Sequence, residues 1–195
     1  MRNKKILAGV VAVAFLALAA CSSQKGPASQ AVAAAEAAFA GIREEASKYL
    51  PSDLQGVEAS VAALQAQLAS KDYKSVIANA PALMTSINSL TDATSARKTA
   101  VDAATAEWAA ISTDVPKMAS AIQTRLETLA KSKRIPKNLS ATSYDSAKAG
   151  YDNLKATWDA ANAAAAAGDP IDAVAKGKEV QAKGNEVLAL LGMAG

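Results

Sequence analysis

Ser95-Ala-Arg-Lys98 sets a lysine one helical turn from a serine, the spacing at which an amine activates a hydroxyl nucleophile. Ser86-Ile-Asn88 and Lys98-Thr99 offer fragments of the motifs that would accompany such a pair, but in the wrong order and without a final glycine. No strand signal stands nearby to build an oxyanion hole, and a solvated helix face explains these residues better. Asp169-Pro-Ile-Asp172 has the look of paired carboxylates. The same four residues also make a complete helix start, with an Asp N-cap, proline at the first helical position and an acid in the first turn. Capping is the stronger reading. Glu44 and Glu45 are neighbours in sequence and therefore diverge on a helix, so they form no dyad. Histidine is absent and Cys21 is the single cysteine. That inventory removes zinc, copper and haem sites built on those ligands, and the Glu-x-x-His pairs of a di-iron bundle. Acid–base work would fall to carboxylates, lysines or tyrosines. We expect no catalytic residue, no metal and no cofactor.

Two further groups invite a binding reading. Lys131, Lys133, Arg134 and Lys137 cluster in one proline-containing loop and have the charge to meet anionic headgroups or an acidic surface. A solvated inter-helix loop is the alternative. Trp108, Tyr151 and Trp158 are large aromatics of the second half that fall on apolar seams. They are either core or an interaction surface. Gly177 and Gly184, seven apart on a seam, permit close backbone approach or mark a hinge.

These residues must be positioned by helices. Alanine, the strongest helix former, dominates the composition, and no β-branched run alternates with period two. Apolar residues instead recur in alternating steps of three and four. Val32, Ala35, Phe39, Ile42, Ala46 and Tyr49 mark a first helix over about 29–50, which Pro51 ends. Ser52 with Gln55 has capping-box spacing for a second helix carrying Leu54, Val57, Val61, Leu64 and Leu68. Lys71-Asp72 breaks the chain before a third with Val76, Ala80, Leu83, Ile87 and Leu90. The seam resumes through Val101, Ala104, Trp108, Ile111, Val115, Met118, Ile122 and Leu129. Pro116 interrupts it, with Asp114 as a candidate cap, so 93–132 is either one kinked helix or two. A fifth helix spans about 142–167, Gly168-Asp169-Pro170 breaks again, and a sixth runs to about Leu191 with Gly192 as its stop. Such seams joined by short turns predict an all-α, antiparallel helical bundle of about six helices.

One internal repeat stands out. A gap-free shift of 97 residues lays Leu54, Val57 and Val61 on Tyr151, Leu154 and Trp158, and Asp72 on Asp169. It also lays Ala80, Leu83 and Ile87 on Gly177, Val180 and Gly184. Two heptad helices share phase by chance about once in seven trials, so the matched turn carries more weight. The single domain over 30–192 then contains two related hairpins, 53–94 and 150–191.

The amino terminus has its own logic. Arg2, Lys4 and Lys5 precede an uncharged stretch, Ile6 to Ala20, that is short of the roughly 20 residues needed to span a bilayer. A positive start, a short apolar run and small residues describe a cleaved secretion signal. Leu18-Ala19-Ala20-Cys21 resembles the lipobox of bacterial lipoproteins. The resemblance implies a diacylglycerol thioether on Cys21, cleavage before it, and acylation, for example by palmitate, of the new amino terminus. With Ser22 rather than Asp after the cysteine, it further implies, in a cell with two membranes, the periplasmic face of the outer membrane. Residues 21–29 would be a lipidated tether. Of 21 basic residues three leave with the signal, so 18 basic face 18 acidic and the mature chain is neutral. Nucleic acid loses its main electrostatic attraction.

Ala34 to Leu90, with Tyr49-Leu-Pro51-Ser-Asp53-Leu54 and Lys71-Asp72-Tyr73, is similar to a helical hairpin of uncharacterised envelope lipoproteins. Leu50 stands where that pattern has alanine. The likeness implies fold and location and no activity. The sequence thus points to a non-enzymatic, lipid-anchored structural or interaction protein whose partners are the membrane and an envelope protein. The alternative is a module that holds an apolar ligand or peptide between helices.

Overall fold

A computed structural model describes residues 24–132, 136 and 139–193, and nearly all of them are helical. Cys21 and the signal before it lie outside the described residues, as do Lys133, Arg134 and Lys137 of the basic loop. Five helices follow in order: α1 (Lys25–Tyr49), α2 (Pro51–Ala69), α3 (Tyr73–Lys131), α4 (Ala141–Ala166) and α5 (Pro170–Leu190). No strand occurs among the described residues.

Three boundaries differ from expectation, each for a local reason. α1 starts at Lys25, inside the stretch read as a tether, because Pro27 suits a first turn and Ala28 is already fully buried on the seam. Pro51 does not merely end α1. It is the first residue of α2, where its missing N–H costs nothing, and Ser52 lies within the helix rather than capping it. The Leu50 amide bonds the Ala46 carbonyl while the Leu50 carbonyl accepts from Leu54, so one residue serves both helices.

The third and fourth expected helices are one, which is why five are seen where about six were expected. α3 runs unbroken through Pro81 and Pro116. An interior proline costs about 3 kcal/mol through a lost hydrogen bond and a clash with the preceding turn. Both prolines are exposed, so water can satisfy the carbonyls they leave unbonded. The buried seam on the opposite face, with Val76, Leu83, Ile111, Val115 and Ile122, outweighs that cost. Asp114 caps nothing and pairs with Lys117 one turn on.

The chain forms two compact units. The first comprises the residues up to Gly41 with Gln55–Ile87. Its buried side chains come from three helices: Val32, Ala35 and Phe39 of α1, Val57, Val61 and Leu64 of α2, and Val76, Leu83 and Ile87 of α3. Gln65 donates to Glu36 at 2.6 Å and Asn79 to Gln67 at 3.2 Å, stitching α2 to its neighbours. The second unit comprises Ile42–Leu54 and the chain from Asn88 onward. Its contiguous core takes Ile111, Val115 and Ile122 from α3, Ala147 and Leu154 from α4, and Val174, Val180 and Val187 from α5.

Candidate functional site

The residues singled out in the sequence divide into caps, core and surface pairs. Asp169 accepts the Asp172 amide at 3.1 Å with Pro170 behind it, and Asp172 is taken by Lys176 one turn later. The four residues start a helix. Asp72 plays the same part for α3, accepting from the Ser75 amide at 3.2 Å. Hydrogen bonding from Ser75, through side chain and backbone, holds the Asp72 carboxyl below its ordinary range.

The Ser95–Lys98 pair also resolves into surface structure. Lys98 forms an ion pair with Glu45 of α1, and that hydrogen bond raises its pKa. Both partners stay roughly half-exposed, so this face is solvated and also tied across two helices. Glu44, the neighbour of Glu45, is exposed. Lys131 is exposed at the end of α3. Beyond the loop, Leu139 is buried and Ser140 caps α4 through the Ser143 amide at 3.0 Å.

Trp108, Tyr151 and Trp158 all belong to the second unit. Trp108 of α3 and Trp158 of α4 stack with ring centroids 5.3 Å apart and planes at 29°. Both are half-buried. A Cβ added at Gly177 would lie 2.7 Å from Ile111 Cγ2 and 3.3 Å from Trp108 Cζ3, so the missing side chain of α5 is the space α3 fills. Gly184 does the same for Met118, whose Cε and Sδ would collide with an added Cβ. Close approach, not a hinge, is what these glycines provide. The Tyr151 hydroxyl donates to Gln123 Oε1 at 3.2 Å, and Lys155 lies over its ring at 4.9 Å.

Open grooves run beside these packed seams. One of about 360 Å³ is lined by Asp114, Val115, Met118, Gln181 and Asn185, and another of similar size by Gly150, Asn153, Lys183, Glu186 and neighbours. Asp114 pairs with Lys117, and Lys183 bonds Glu179 at 2.6 Å and Asn153 at 2.7 Å. Among the described residues no three of His, Cys, Asp and Glu gather as a metal site, and no helix is long and apolar enough to cross a membrane. Large apolar side chains left exposed there are scattered: Ile77, Leu190 and Met193.

Two polar residues escaped the sequence reading. Thr94 is fully buried and its hydroxyl has no hydrogen-bond partner, unlike Thr85, Thr99 and Thr105, which bond the carbonyl one turn back. Arg125 is half-buried with its Nε unpartnered. The heptad phase running from Leu90 through position 94, and from Ile122 to Leu129, was the signal that would have found both. Comparison with protein families, with curated proteins and with solved structures finds no match to this chain.

Proposed function

We propose that the chain is a lipid-anchored, non-enzymatic protein of the bacterial envelope. In this reading an antiparallel helical bundle is held at the periplasmic face of the outer membrane, where it engages another envelope protein. The observation that carries the reading is Leu18-Ala19-Ala20-Cys21 behind a basic, short apolar leader. Each acyl methylene buried in lipid contributes about 0.8 kcal/mol, and more than one chain makes the attachment lasting. α1 begins four residues after Cys21, a reach of about 14 Å at full extension. An acyl anchor therefore keeps the start of α1 close to the lipid surface. The expected absence of catalysis rests on the residue inventory and on the engagement of Lys98 by Glu45 and of Asp172 by Lys176.

The alternative, an apolar ligand held between helices, has less support. The spaces that Gly177 and Gly184 leave in α5 are taken by Trp108, Ile111 and Met118, which a ligand would have to displace. Fractionation of cells that make the protein tests the first reading. The parent should sediment with membranes, and a form in which residues 1–21 are replaced by a leader cleaved without lipidation should move to the soluble fraction. An unchanged distribution would defeat it.

A further inference from the structure

The turn between α2 and α3 and the turn between α4 and α5 are the same object displaced by 97 residues. α2 ends at Ala69 and α4 at Ala166, and α3 begins at Tyr73 and α5 at Pro170. Lys71 (φ 64°) and Gly168 (φ 81°) occupy the left-handed position in each. The amides of Ser70, Lys71 and Asp72 bond the carbonyls of Ala66, Leu68 and Gln67. Those of Ala167, Gly168 and Asp169 bond Ala163, Ala165 and Ala164 at the same offset. Asp72 then accepts from Ser75, and Asp169 from Asp172.

A left-handed residue followed by an Asp cap is a common way to join two helices, so the turn alone decides nothing. The seams decide. Under the same gap-free offset, Val57 and Leu154, Leu64 and Ala161, Val76 and Ala173, Leu83 and Val180, Leu90 and Val187, and Thr94 and Leu191 are buried in both members of each pair. The same positions stay buried through both helices of each hairpin.

The correspondence extends to the preceding helix. A shift of 83 lays the buried Ala28, Val32, Phe39 and Ala46 of α1 on the buried Ile111, Val115, Ile122 and Leu129 of α3. We infer that the chain is a tandem duplication of one three-helix module, in which α3 serves as the last helix of the first copy and the first helix of the second. The copies have since diverged by compensation. Ala80 and Ile87 correspond to Gly177 and Gly184, and the room gained in the second copy is occupied by Trp108 and Met118. This inference does not depend on the anchor reading.

The test exchanges the turns within the chain spanning residues 22–195. Residues 166–172 replace 69–75 in one variant, and 69–75 replace 166–172 in the other. Both should keep the parent's helix content by circular dichroism. The first should melt at or above the parent, because glycine replaces Lys71 in the left-handed position. The second should melt lower, because lysine replaces Gly168. Controls carry the same grafts shortened by one residue, which puts turn and seam out of phase, and these should lose helix. An in-register exchange that loses helix as the shortened graft does would overturn the duplication. So would a shortened graft tolerated as well as the in-register one.

Discussion

Gly177 and Gly184 look alike in sequence, and the structure predicts that they respond oppositely to alanine. In a helix interior, Gly→Ala gains about 1 kcal/mol from backbone entropy alone. At Gly177 the new methyl meets Ile111 Cγ2 at 2.7 Å and Trp108 at 3.3 Å, well inside the roughly 3.5–4.0 Å of comfortable carbon contact. Ile111 is buried, and its Cγ2 sits on a β-branched carbon with one favoured rotamer in a helix, so it cannot swing away. Overpacking of this kind costs about 1–3 kcal/mol. Gly177→Ala should therefore be neutral at best and as much as about 2 kcal/mol destabilising. At Gly184 the obstructing atoms are chiefly the Cε and Sδ of the half-buried Met118, with Leu154 Cδ1 at 3.3 Å. The Met118 atoms end a flexible thioether that can take another rotamer. Gly184→Ala should be neutral to about 1 kcal/mol stabilising. Guanidinium unfolding of residues 22–195, followed by far-ultraviolet circular dichroism, measures both. Adding Ile111→Ala to Gly177→Ala should be less than additive, since the truncation removes the obstructing methyl. Equal effects at the two glycines, or full additivity with Ile111→Ala, would refute the reasoning.

Three further perturbations follow from the same geometry. Lys71→Gly should raise stability by about 1 kcal/mol, because an L side chain in the left-handed region is strained by about that much, as thermal melts would show. Thr94→Val keeps the shape while removing a buried hydroxyl without a partner, so it should stabilise by about 1 kcal/mol in denaturant unfolding. Asp72→Asn keeps a capping side chain but removes its titration. The folded Asp72 pKa lies below the unfolded value of about 3.9. Its contribution is therefore complete above that unfolded value and lost as pH falls through the folded one. The variant's melting temperature should accordingly fall less than the parent's between about pH 5 and pH 2.

Helical class, seams and turns were legible because each rests on local chemistry. The apolar spacing marked Val32 to Ala46, Leu54 to Leu64 and Val76 to Leu90, and these positions are buried. Gly168-Asp169-Pro170 and Lys71-Asp72 announced their turns through a left-handed residue and an Asp cap. What misled was proline. Pro51 reads as a stop yet begins α2, and Pro116 reads as a break yet sits inside α3. Whether proline interrupts a helix depends on which face it occupies and how much burial lies opposite, and that is a tertiary quantity. Thr94 was passed over for a similar reason, since a threonine's burial follows from the phase of its neighbours and not from its own polarity. Among candidate site residues, Asp169 and Asp172 were legible as a cap. The Lys98–Glu45 pair was not, since it joins residues 53 positions apart.

The central claim is the lipid on Cys21. Cells making the full chain, grown with radiolabelled palmitate, should yield a labelled band for the parent and an unlabelled one for Cys21→Ser at equal expression. Label retained in Cys21→Ser, or absent from the parent, would contradict the account.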